Sequence, residues 1–96
     1  MVQQFHVYIL TNKPYGTIYI GMTGDIGRRI YEHQNGLIDG FTKTYNLKKL
    51  IYYEAYDNHD AAFRRERQLK KWNRDWKKQL IEQSNRDWKD LSQELF

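Results

Sequence analysis

Cysteine is absent from this 96-residue chain. That excludes disulfide staples, thiolate zinc sites and cysteine nucleophiles, and it fits a reducing, cytoplasmic setting. No apolar run approaches the ~18 residues that a membrane span needs. No basic segment followed by an apolar stretch opens the chain, so a cleaved signal is not expected. Proline occurs once and glycine six times, and no linker or low-complexity tract divides the sequence. A single domain over residues 1–96 is expected, with C-terminal helices from about residue 73 packed on it. The histidines, His6, His33 and His59, are scattered without zinc spacing. Neither GxxxxGK[ST] nor GxGxxG occurs. The two serines, Ser84 and Ser92, have no nucleophile-elbow context.

What is present is unevenly charged. The net charge is +4, yet residues 64–78 hold eight Lys/Arg against two Asp/Glu, leaving the remainder slightly acidic. A basic element with aromatics beside it fits a nucleic-acid partner. It also fits a solvated lysine-rich helix face.

Phe5 to Leu10 is a short aromatic and β-branched run, and Thr17 to Ile20, closed by Gly21, is a second. Across the loop TNKPYG they predict a β-hairpin. A loop centred on Lys13-Pro14 would set Tyr8 opposite Tyr19 on one face, and a one-residue slip would separate them. Asp25 then reads as an N-cap and Gly36 as the left-handed residue that ends a helix. On that helix Ile26, Arg29, Ile30 and His33 share one side, and Arg28 points away. Residues 36–46 read as a polar loop with a short helical turn. Leu50 to Tyr56 predicts a third strand. From about Asn58 the chain reads as helical, with Ala62, Leu69, Trp72, Trp76 and Leu80 as an apolar stripe. NRDWK occurs at 73–77 and again at 85–89, and both copies read as helix starts.

Four of these side chains make a poor core. An arginine on the inward side of a helix is costly unless neutralised. For Arg29 the choices are an ion pair with Glu32 or Glu66, or a guanidinium fork that clamps phosphate oxygens. His33 lies one turn further along as either a hydrogen-bonded structural residue or an assisting group. Tyr8 and Tyr19 are either sheet aromatics or phenols made useful by a nearby cation. Glu66, set among Arg64, Arg65 and Arg67, is either a local salt-bridge partner or a carboxylate ligand for one hard divalent ion.

The chain resembles the GIY-YIG nuclease superfamily, and within it the small stand-alone bacterial proteins. His6-Val7-Tyr8 stands where GIY is usual and keeps the tyrosine. Tyr19-Ile20-Gly21 is an unaltered second triplet, followed by MTGDIGRRIYEH. Glu66 lies in the context RE-x-x-LK-x-W. LIYYE, Asn85 and Trp88-Lys89-Asp90-Leu91 resemble the small bacterial subgroup, with Arg86 where proline is usual. The resemblance implies an α+β fold: a small three-stranded antiparallel sheet flanked by helices. It implies metal-dependent DNA phosphodiester hydrolysis, with RNA as the alternative substrate. Arg29 matches the family's catalytic arginine, His33 the histidine one turn later, and Glu66 the metal ligand for one Mg²⁺ or Mn²⁺ ion. Tyr8 would position or deprotonate the attacking water, with Tyr19 and His33 assisting and Gly21 as a structural motif residue. Asn73 and Asn85 both compete for the place of a family asparagine that helps shape some active sites. Lys43, Lys70, Lys71, Arg74, Lys77 and Lys78 would hold the nucleic-acid backbone. The competing expectations are a nucleic-acid-binding module without turnover, and an adaptor whose tryptophans dock a protein. A separate protein could also direct the domain to its substrate.

Overall fold

The two runs at the start of the chain pair as the hairpin that their composition predicts. In the computed structural model, which describes residues 3–95, β1 (Phe5–Thr11) and β2 (Ile18–Thr23) are antiparallel. β3 (Lys49–Tyr56) pairs antiparallel with the other side of β1, so the strand order is β2-β1-β3. Between β2 and β3 lie helix α1 (Ile26–Gln34) and the short α2 (Phe41–Thr44). After β3 come α3 (His59–Lys71), α4 (Arg74–Ser84) and a C-terminal 3-10 turn (Ser92–Leu95).

The hairpin register differs from the expected one by two residues. Tyr8 faces Gly21 and Tyr19 faces Leu10, because the loop turns about Pro14-Tyr15, with Tyr15 at φ 61°. A shift of two preserves side-chain parity, so both tyrosines remain on one face. Gly21 does not close the strand; it lies within β2.

The sheet separates two cores. Val7, Ile9, Ile20 and Ile51 pack with Ala62 and Leu69 of α3, Ile81 of α4, and Trp88. Tyr8, Leu10 and Leu50 pack on the other face with Ile26 and Ile30 of α1, and Leu47. Three of the four α-helices begin at a residue whose side chain accepts an otherwise orphaned backbone N–H: Asp25 for α1, Asn58 for α3 and Asn73 for α4. Gly36, at φ 65°, follows α1 as expected.

The second NRDWK copy is not a helix start. Asn85 is buried at the end of α4, where its Nδ2 donates to the carbonyls of Ile51 (3.0 Å) and Lys89 (2.8 Å) and its Oδ1 accepts from Lys89 N (2.9 Å). Trp88 then takes a left-handed φ of 56°, which no helix accommodates. Its ring enters the core and its Nε1 donates to Glu82 (3.1 Å). The expected apolar stripe also loses a member. Ala62 and Leu69 are buried and Trp72 and Leu80 pack against the core, but Trp76 is 53% exposed.

β3 carries a bulge: Ile9 pairs with Tyr52 and Leu10 with Leu50, so Ile51 is the extra residue. The C-terminal segment covers the outer side of this stretch. Leu50 N donates to Asp90 Oδ1 (3.2 Å), and Leu91 N donates to Leu50 O (2.6 Å).

Candidate active site

β1 carries Tyr8 across the sheet, and the residue opposite decides where its ring can go. A Cβ on Gly21 would lie 2.5 Å from both the Cζ and the Oη of Tyr8, and 2.9 Å from Cε2 of Tyr19. The Tyr8 phenol therefore lies over the glycine, pointing toward the β2 side of the sheet. Tyr19, half-buried on β2, stands with its ring centroid 6.4 Å from that of Tyr8.

α1 supplies two groups to this point. Ile26, Ile30 and His33 are its buried residues. His33 Nε2 lies 3.1 Å from Tyr8 Oη, and His33 Nδ1 lies 3.1 Å from Thr42 Oγ1. Both ring nitrogens are therefore used, one toward β1 and one toward α2. With the proton on Nδ1, His33 donates to Thr42 and accepts the Tyr8 O–H at Nε2. The His33 ring also lies 6.1 Å from that of Tyr19. The two arginines of α1 are inequivalent as expected: the Arg28 side chain is 75% exposed and that of Arg29 40%. Arg29 Nε sits 3.4 Å from Glu32 Oε1. The approach is off line for a hydrogen bond, so this buried Nε–H has no hydrogen-bond partner among the described residues.

The electrostatics of Tyr8 register which groups surround it. Burial pushes its hydroxyl well above the ordinary phenol range, and Tyr19 adds to that. The Arg29 guanidinium opposes it, through its charge and by close polar approach, and the Glu66 carboxylate raises it further. Burial holds His33 below its usual range; the charge of Arg29 lowers it again and Glu32 opposes. Side chains from β2, α1 and α3 thus act on the hydroxyl carried by β1, and the imidazole beside it is biased toward its neutral form.

Glu66, on α3, has its side chain 15% exposed and Lys70 Nζ 3.5 Å from Oε1, and its charge bears on the Tyr8 hydroxyl as the smallest of the influences there. It offers one hard oxygen donor group. Among the described residues no group of three or more His, Asp or Glu is placed to hold a metal ion, here or elsewhere. Mg²⁺ binds through one or two carboxylates and fills its other positions with water and phosphate oxygens. This donor set fits an ion that binds together with a phosphodiester.

The expected backbone-binding residues divide. Lys70 and Lys71 flank Glu66 on exposed α3 surface. Lys77 and Lys78 are half-buried on α4. Lys43 is exposed on α2 and pairs with Asp39 at 3.3 Å. Arg74 has a different duty: its Nη2 donates to the carbonyls of Tyr15 (3.0 Å) and Gly16 (2.7 Å). It clasps the hairpin loop. The two asparagines considered for the site, Asn73 and Asn85, are both taken up by backbone hydrogen bonds. The sequence reading missed Thr42. It lies nine positions beyond His33 in a polar stretch with no periodic pattern, and only the α2 turn brings it back to the imidazole.

Residues 4–79 match the family model described as the GIY-YIG catalytic domain. A UPF0213 protein of Staphylococcus saprophyticus is 34% identical over 80 residues, covering 83% of this chain and 96% of the relative. A UPF0213 protein of Clostridium perfringens is 38% identical, covering 79% of this chain and 81% of the relative. The solution NMR structure of a UPF0213 protein from Bacillus halodurans superposes with a TM-score of 0.55 at 30% identity, covering 85% of this chain and 86% of that one.

Proposed function

The chain belongs to the GIY-YIG family of catalytic domains, and from that membership we propose that it is a metal-dependent endonuclease hydrolysing DNA phosphodiester bonds, with repair or branched DNA as its setting. A GIY-YIG catalytic domain is a nuclease domain. The observation that carries the finer reading is the contact at Tyr8 Oη, where His33 Nε2 lies at 3.1 Å and the charges of Arg29 and, more weakly, Glu66 also bear on the hydroxyl.

Each group has a role its chemistry supports. Tyr8 orients the attacking water. Its buried hydroxyl is a feeble base by itself, so the neutral imidazole behind it takes the proton that the water gives up, passed through the phenol. Thr42 holds that imidazole in the tautomer that accepts at Nε2. The water oxygen adds to phosphorus as one ester P–O bond breaks; the electron pair of that bond stays on the leaving ester oxygen, which is protonated from solvent, and Arg29 neutralises the extra negative charge on the phosphoryl oxygens. Tyr19 packs beside the phenol and limits its movement. Glu66 would hold one Mg²⁺ or Mn²⁺ ion, which supplies Lewis-acid stabilisation of charge on the phosphate when bound. Lys43, Lys70, Lys71, Lys77 and Lys78 contribute sequence-independent attraction for the backbone.

The test is cleavage of nicked, flapped, branched and linear DNA with Mg²⁺ or Mn²⁺, using the natural chain, Arg29→Ala and Glu66→Gln. Both substitutions should remove at least about 100-fold of the activity with melting temperatures kept near that of the natural chain. Cleavage unaffected by either change, or none in any condition, overturns the endonuclease reading. Retained binding in the second case would favour the module without turnover.

A further inference from the structure

α3 carries more beside Glu66 than charge. A concavity of about 310 Å³ is lined by Phe63, Glu66, Arg67, Lys70 and Lys71. Phe63 lies one turn before Glu66 and is 44% exposed. His59, one turn earlier, stacks with it at 6.0 Å between centroids and 13° between planes. Phe5 meets the His59 ring edge-on at 5.6 Å and so helps to hold it. The guanidinium carbon of Arg67 lies 5.6 Å from the centre of the Phe63 ring. One exposed phenylalanine needs no explanation. This one forms a wall of a cavity whose other walls are three cations and the carboxylate proposed above to hold the metal ion.

The cations match a phosphate backbone by charge. The ring does not: it has nothing to offer a paired base, whose faces are covered by its neighbours in the duplex. An unpaired base presents a free π-face, and aromatic side chains in basic grooves bind such faces without regard to sequence. We propose that Phe63 is a stacking platform for an unpaired nucleobase beside the phosphate being cut, with Arg67 swinging from its position over the ring to a backbone phosphate. The preferred substrate is then a strand with unpaired nucleotides at the cut, such as a flap or a single strand. The word substrate rests on the nuclease reading; the binding itself does not.

The experiment is fluorescence anisotropy in EDTA with four probes of equal length: single-stranded DNA, the same strand with abasic sites, the DNA duplex, and single-stranded RNA. The natural chain should bind the base-bearing single strand more tightly than the abasic one. Phe63→Ala should weaken that binding about 5- to 150-fold, the range expected for loss of one stacked base. Its duplex affinity should stay within about twofold, and Phe63→Tyr should restore single-strand binding. The RNA probe tells whether the platform also serves ribose strands. Equal losses on duplex and single strand, no loss at all, or no preference for bases over abasic sites would each overturn the proposal. Cleavage plays no part in this readout. A chain that behaves as expected here but cuts no DNA with either Mg²⁺ or Mn²⁺ refutes the nuclease reading alone, whereas one that cuts DNA and is indifferent to Phe63 refutes the platform alone.

Discussion

Thr42 spends its hydroxyl on His33, and both residues are buried. Removing that partner leaves an imidazole nitrogen desolvated and unpaired, which costs about 1–3 kcal/mol. Thr42→Val keeps the shape and loses the bond, whereas Thr42→Ser keeps the bond. Urea denaturation should place Val below the natural chain by that amount and Ser within about 0.5 kcal/mol. The pH profile of cleavage should change for Val alone; identical profiles for Val and Ser would mean that the hydroxyl does not set the tautomer. His33 and His6 also make stability depend on pH. Burial lowers both below the usual 6.5, so the unfolded chain takes up their protons first. Their contribution is complete above about pH 6.5 and is lost as pH falls through that value toward the folded pKa values. Denaturation midpoints between pH 7.5 and about pH 5, above the carboxylate range, should fall with acid. His33→Asn should flatten part of that slope, and an unchanged slope would count against a neutral buried His33.

At the scale of elements, the site depends on a gap in β2. The Tyr8 ring occupies the space that a side chain at position 21 would fill. Gly21→Ala forces the phenol or the hairpin to move, and overpacking of this kind costs about 1–3 kcal/mol. The melting temperature should drop by roughly 4 °C or more, and cleavage should fall further than the stability loss explains. An alanine variant that melts and cuts like the natural chain would show that the ring has another resting place. The same elements show what could be read beforehand. The strands, the Asp25 cap and the inward set on α1 follow from periodicity and capping, which are local. The pairing register did not, because the left-handed turn at Tyr15 that sets it is unusual for tyrosine. The second NRDWK copy misled for a related reason. Asn85 has the side chain of an N-cap, but the carbonyls it serves belong to Ile51 and Lys89, and the Ile51 contact exists only once the chain has folded. Arg74 is another such case: a basic residue in a basic stretch gives no sign that its partners are hairpin carbonyls 58 and 59 positions away. Tyr8, Tyr19, Arg29 and Glu66 were singled out as candidates chiefly by family resemblance, since spacing alone left each with a structural explanation.

For the molecule as a whole, the C-terminal segment finishes what the sheet leaves open. Asn85, Asp90 and Leu91 take up backbone groups of Leu50 and Ile51 along the outside of β3. Trp88, from the same segment, fills the core shared by α3 and α4. A chain cut after Ser84 therefore loses a core ring and uncovers strand backbone at once. Removing a buried tryptophan alone costs about 3–5 kcal/mol, a large share of the stability of a domain this size. The truncated chain should melt far below the full one, and light scattering should show particle size growing with concentration. A truncated chain that stays monomeric and folded would show that the tail is dispensable. An uncovered strand invites pairing with another copy, so the tail that supports the fold also keeps neighbouring molecules from joining their sheets into aggregates.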